Sequence, residues 1–309
     1  MTQLPTCIAV GISLAHDDES GRASLAFTEH ALFQQALQFA TAFSAKLLLV
    51  SVIDAEDDEI PGQPLSLHEL LRTHQEPFLQ ELVERATISG VAASCVLRFG
   101  PAASELLAAA TEGNADLIMV APRRTRDLSL GDLLHGSTTQ RLLRKSHLPV
   151  SVVHFDMQPG IQNIALAVDF SDVSRRQLDT AVALGEVFGA RVHVVHAIDF
   201  PNDIALRRLP DPYPALEAYH EQVRTRARQH CTEYLGALAD SVTVHIAEDY
   251  IVRSLPEYVK VNGIDLVIAG SIGRSGISGL LIGNTAEKLF RVLDITLWVM
   301  KPHGWKLFG

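Results

Sequence analysis

IDLVIAGSIGRSGISGLLIGNTAEKLFRVL, residues 264–293, passes from a short apolar run through a glycine-rich stretch into a helical pattern. The run at 266–270 is apolar throughout, with the β-branched Val267 and Ile268 within it, the signature of a strand covered on both faces of a parallel sheet. NTAEKLFRVL spaces its apolar residues at threes and fours, as a helix with one buried face does. The segment also has an earlier copy. ADLIMVAP at 115–122 recurs as IDLVIAGS at 264–271, and GSTTQRLLR at 136–144 recurs as GNTAEKLFR at 283–291. Working outward, KLLLVSVIDA at 46–55 recurs as RVHVVHAIDF at 191–200, and CIAVGIS at 7–13 matches ALAVDFS at 165–171. Four matches in the same order make a tandem duplication.

Between its first two matches the first half is longer by the polar stretch HDDESGRASLAFT at 16–28, read as a surface loop. The halves join near Asp156-Met157-Gln158-Pro159-Gly160, where Pro-Gly marks a turn, so the domains are expected at 1–157 and 158–309. A chain of 309 residues exceeds what one hydrophobic core usually organises, which agrees with two domains. In the second half, strands are expected at 164–169, 191–198, 241–247, 266–270 and 295–300. Helical patterns at 171–189, 213–239, 250–263 and 284–293 separate them, with Ser171 or Asp172 as N-cap of the first. Apolar strands alternating with helices specify an α/β fold. Two doubly wound five-stranded parallel sheets, strand order 3-2-1-4-5, would stand in tandem.

Composition removes several function classes. There are 26 Lys plus Arg against 36 Asp plus Glu, a formal charge of −10, which repels a phosphate backbone in general. Aromatic residues are 6%, too few for a base-stacking platform, so nucleic acid is not an expected partner. Cys7, Cys95 and Cys231 are isolated and odd in number, which argues for buried or half-buried thiols rather than a disulfide framework or structural zinc. The start Met1-Thr2-Gln3-Leu4-Pro5 has no basic region, and no apolar run reaches the ~20 residues of a membrane span. The expectation is a cytoplasmic protein.

Open parallel sheets bind ligands beyond the carboxyl ends of their strands, where the strand order reverses. In the second half that place lies between a first strand ending in Asp169-Phe170-Ser171 and the loop after the fourth strand. Gly270 and Gly273 allow tight turns and close approach of a ligand to the backbone. Consecutive main-chain N–H groups there can form an anion nest. Gly283, Asn284 and Thr285 open the next helix, whose free N–H groups favour negative charge, and Arg274 can add a charge-assisted bond.

A strand-borne Asp followed by Phe-Ser, a second strand ending His-Ala-Ile-Asp, and the 270/273/283 glycine spacing together resemble the universal stress protein family. The repeat resembles its tandem, E-type members. The resemblance implies that Asp169 contacts the adenosine portion of a nucleotide and the backbone at Ala197 meets adenine. It assigns the phosphates to Gly270, Gly273, Arg274, Gly283, Asn284 and Thr285. Asn284 stands where nucleotide-binding members prefer Ser or Thr, and its amide still offers a donor and an acceptor. The first half departs further. Gly11 matches Asp169, and Ala121-Pro122-Arg123-Arg124 replaces the glycine loop, so this domain is expected to be degenerate. Fifth strands pair into dimers in this family, so the tandem chain is expected to pair its own as an internal pseudo-dimer, with Leu297, Trp298 and Val299 in the seam and room for a further homodimer.

The implied function is ATP or a related adenine nucleotide bound in the second domain, Mg²⁺ arriving with the nucleotide, and ligand-dependent regulation or protection under stress through a protein partner. No catalytic or metal-ligating group stands out, so efficient catalysis is not expected. Weak ATP hydrolysis, nucleotidyl transfer and a nucleotide-independent scaffold are the alternatives. His193 and His196 should face opposite sides of their strand, and His220 and His230 lie too far apart on one helix for a shared ion. Asp116 and Asp265, one per repeat, read as strand-entry caps. The long helices at 65–87 and 213–239 read as cover for the sheets.

Overall fold

The computed structural model describes residues 4–16, 23–25, 27–60, 63–122, 138–154, 160–271 and 284–301. Contacts divide the chain into two compact units, the first ending its continuous run by residue 154 and the second beginning by residue 160, with 294–301 grouped in the first.

The first unit contains β1 (Cys7–Gly11), a hairpin of β2 (Leu14–His16) and β3 (Ala23–Leu25), α1 (Phe27–Phe43), β4 (Lys46–Ile53) and α2 (Leu67–Ile88). There follow β5 (Ala93–Phe99), α3 (Ala102–Glu112), β6 (Leu117–Val120), α4 (Thr138–Lys145) and β7 (Val150–Val152). Its parallel strands run β5-β4-β1-β6-β7, the 3-2-1-4-5 order expected of each repeat. Ile8, Val10, Leu117 and Ile118 are fully buried, as central strands between helical layers must be. At the start of α2, Ser66 and Glu69 form a reciprocal capping box. The stretch read as a plain loop instead carries the β2–β3 antiparallel pair, Leu14 opposite Leu25. Its apolar residues alternate over too few positions to show as a strand pattern.

The second unit contains β8 (Asn163–Val168), α5 (Asp172–Phe188), β9 (Arg191–Ala197), a one-turn α6 (Asp203–Leu206) and α7 (Pro212–Leu235). It continues with β10 (Thr243–Ala247), α8 (Ile251–Asn262), β11 (Leu266–Gly270) and α9 (Asn284–Val292). The order β10-β9-β8-β11 repeats the first unit's β5-β4-β1-β6. The fifth strand of this repeat, β12 (Thr296–Met300), pairs antiparallel with β7 and packs as part of the first unit. The two fifth strands therefore meet as expected, Trp298 opposite Ser151 and Leu297 opposite Val152. Trp298 is 2% exposed and stacks on Phe39 of α1 at 5.8 Å.

Sheet register corrects one alignment. Cys7 sits opposite Lys46, and Asn163 opposite Arg191. Ile8 sits opposite Leu117, and Ile164 opposite Leu266. Because 46 matches 191 and 117 matches 266, Cys7 corresponds to Asn163, not Ala165. Gly11 then matches Ala167, and the counterpart of Asp169 is the exposed Ser13. A Cβ on Gly11 would lie 2.6 Å from Leu106 Cδ2, so that glycine belongs to packing against α3.

The Asp pair caps strand entries in both units. Asp116 Oδ2 accepts from Thr6 N (2.7 Å), Thr6 Oγ1 (2.7 Å) and Cys7 N (3.1 Å). Asp265 Oδ2 accepts from Gln162 N (2.8 Å) and Asn163 N (2.9 Å). Hydrogen bonds to a charged group are the stronger ones, so Asp265→Ala should cost about 2 kcal/mol in chemical denaturation. A change under half that would show that these bonds are replaced by water without loss.

Lys301 follows β12 at 3% exposure and donates to Leu143 O in the last turn of α4. Burial pushes its ammonium down to about 8 from 10.5. Between those values the unfolded chain holds a proton that the folded chain has released, so stability gains from this group as pH rises. The gain across pH 8 to 10.5 should reach about 3 kcal/mol at 1.36 kcal/mol per unit. Lys301→Met should flatten that rise in denaturant midpoints, and parallel pH profiles for both proteins would refute it.

Candidate functional site

The site is assembled at the carboxyl ends of three neighbouring parallel strands, β9, β8 and β11. Asp169 follows β8, Ala197 ends β9 and Gly270 ends β11. This is the switch point, because the chain goes from β8 to one side of the sheet for β9 and β10 and to the other for β11.

Asp169 is half-buried and held by the start of α5. Its Oδ1 accepts from Ser171 N (3.1 Å), Ser171 Oγ (2.6 Å) and Ser174 Oγ (2.6 Å). Ser174 Oγ in turn accepts from Asp169 N at 3.0 Å. Ser171, not Asp172, is the N-cap of α5, its side chain accepting from Ser174 N at 3.3 Å. The same helix start that terminates β8 thus fixes the carboxylate plane. Three bonds to one oxygen hold the carboxylate in a defined orientation.

Between Asp169 and Ser171 the backbone turns through Phe170 at φ +62°, a conformation that costs a non-glycine residue of order 1–3 kcal/mol. The ring pays that back in packing. It lies 4.3 Å from His196, 5.3 Å from Tyr234 and 6.2 Å from His230. His196 Nδ1 donates to Val168 O at 2.9 Å, tying β9 to the end of β8. Burial pushes the Tyr234 phenol up, so it is uncharged at neutral pH. Arg175 lies over the Tyr234 ring at 5.7 Å and donates to Tyr234 O at 2.8 Å. The wall beside Asp169 is therefore aromatic, with the Arg175 guanidinium lying over its Tyr234 ring.

Ala197 is half-buried and sits opposite Ala247, and Ile198 N donates to Ala247 O at 2.8 Å. Gly270 is half-buried and is followed by the buried Ser271. Gly273, Arg274 and Gly283 lie outside the described residues. Asn284 opens α9, whose backbone alone is described at that position, and Thr285 is exposed in its first turn. The first unit's corresponding loop, 123–137, also lies outside the described residues.

One residue here escaped sequence reasoning. Gln177, on the sheet-facing side of α5, is 1% exposed. With its amide oriented to satisfy both partners, Nε2 donates to Ala167 O at 3.0 Å and Oε1 accepts from Gly270 N at 2.6 Å. The available signal was a long polar side chain on the helix face that also carries Ser174, Leu178, Ala181 and Leu184.

The histidines take up structural positions. His193 Nδ1 is 2.9 Å from Tyr258 Oη, while His220 Nε2 is 2.6 Å from Asp203 Oδ1. Cys7 and Cys231 are buried and Cys95 is half-buried. No helix among the described residues is long and apolar enough to cross a membrane.

Fold and crevice together define a tandem doubly wound α/β protein whose second repeat has a candidate crevice at its switch point. Residues 28–154 and 160–301 each match the model of the universal stress protein family, and the chain belongs to that family. A universal stress protein of Mycobacterium tuberculosis H37Rv is 29% identical over 157 residues, 50% of this chain and 51% of its own length. Universal stress protein E of Escherichia coli K12 is 27% identical over 209 residues, 63% of each chain. These matches span less than two thirds of the relatives' length. A universal stress protein from Archaeoglobus fulgidus shares the fold at TM-score 0.67, with 16% identity and 97% of each chain covered. A functionally unknown protein from Pseudomonas aeruginosa PAO1 does so at TM-score 0.66, with 21% identity and 97% and 94% covered.

Proposed function

We propose that the second unit binds ATP or a related adenine nucleotide in the crevice at the ends of β9, β8 and β11. The observation that carries this reading is Asp169, a carboxylate locked by two serine hydroxyls at the switch point. Its geometry suits the vicinal hydroxyls of a ribose. Ala197 offers backbone to the base, and Gly270 lets a phosphate approach a strand end without a Cβ in the way. Gly273, Arg274, Gly283, Asn284 and Thr285 complete the phosphate side by family resemblance. Mg²⁺ would come with the nucleotide's phosphates. In this reading the chain is a cytoplasmic regulator or protective factor of the stress response, switched by ligand occupancy and acting through a protein partner. Weak hydrolysis would accompany binding rather than define it.

The test is to denature protein purified without added nucleotide and identify what is released by chromatography and mass spectrometry. One adenine nucleotide per chain is the expected result. An empty protein whose melting temperature also ignores added ATP would overturn the reading in favour of a nucleotide-independent scaffold.

A further inference from the structure

The pairing of β8 with β11 runs through Ile164–Leu266, Ala165–Val267 and Leu166–Ile268. Beyond the last of these pairs, Ala167 O and Gly270 N both bond to the Gln177 side chain, at 3.0 and 2.6 Å. A primary amide has a donor and an acceptor on adjacent atoms, so it can stand between a carbonyl and an N–H and satisfy both. Buried backbone groups need such partners, and at 1% exposure water is not available to Gln177.

We propose that Gln177 is a positioning residue that wedges β8 and β11 apart, setting the width of the crevice between Asp169 and Gly270. The proposal rests on the nucleotide reading, since it states what the width is for. The side chain is inserted where the strands would otherwise close, and its own helix also carries Ser171 and Ser174. One helix thus fixes the carboxylate and the opposite wall together. A ligand that touches only Asp169 and Ala197 uses β8 and β9 and is indifferent to the wedge. A ligand that also reaches Gly270 spans it. Gln177 therefore discriminates between adenosine and its phosphorylated forms.

The test uses the full chain with Gln177→Met, which keeps side-chain length and removes both hydrogen bonds, and Gln177→Leu as a second, shorter variant. In glycine-labelled protein without ligand, the Gly270 amide resonance should shift upfield and exchange faster in both variants, while the Gly263 amide stays in place. ATP affinity should fall about tenfold, the equivalent of one lost hydrogen bond, while adenosine affinity is unchanged. Equal losses for both ligands would mean general damage and would overturn the proposal. So would a Gly270 amide that does not move, whatever the wild type binds. A wild-type chain that binds neither ligand would overturn the nucleotide reading and the role in discrimination with it. A moved Gly270 amide in that case would still establish that Gln177 bridges Ala167 and Gly270.

Discussion

Asp169→Ala is expected to weaken ATP binding about a hundredfold, the largest functional effect available in this chain. Two hydrogen bonds from ribose hydroxyls to an ionised carboxylate are together worth about 3 kcal/mol. The substitution also strands Ser171 Oγ and Ser174 Oγ, each of which donates to Oδ1 at 2.6 Å. Some loss of stability is therefore expected, and affinity should be measured by calorimetry well below the transition. Asp169→Asn separates the two effects. An asparagine keeps an acceptor for the serines but loses the charge, so binding should drop about tenfold while the melting temperature stays close to wild type. Asp265→Ala is the matched control, because it removes a carboxylate that bonds backbone N–H groups at the far end of β8. It should lower stability and leave ATP affinity alone. If Asp169→Ala bound ATP as tightly as wild type, the site would not be in this crevice.

Trp298→Ala is expected to cost about 3–5 kcal/mol of stability, the range for removing a large aromatic from a packed interior. Trp298 lies on β12, near the end of the chain, yet it is 2% exposed and stacks on Phe39 of α1. Its neighbour Thr296 donates to Gln35 Oε1 at 3.1 Å, also on α1, and Lys301 reaches Leu143 O on α4. The last strand is thus part of the first unit's core. Urea unfolding should show the whole loss in the transition of that unit. A loss below about 1 kcal/mol would mean that β12 is a removable edge.

The two aspartates that cap the strand entries were readable from their position in each repeat, because an Asp just before a buried run has few other tasks. The Asp169 carboxylate was readable too, since a charged residue ending an apolar strand at a switch point needs a reason. Gly11 was misplaced. Shifting a strand by two residues leaves its inward and outward faces unchanged, so CIAVG and ALAVD match in pattern at the wrong register. Only the partners of Cys7 and Asn163 across β4 and β9 locate the counterpart of Asp169 at Ser13.

By itself the sequence determined the duplication, the α/β class and the strand order. Hydrophobic period, glycine spacing and repeat order are local properties that survive without coordinates. The tertiary structure alone decided which unit holds β12, because strand pairing is a contact between residues distant in the chain. It alone decided that Gln177 joins Ala167 to Gly270, because a buried amide finds its partners only when three separate elements converge.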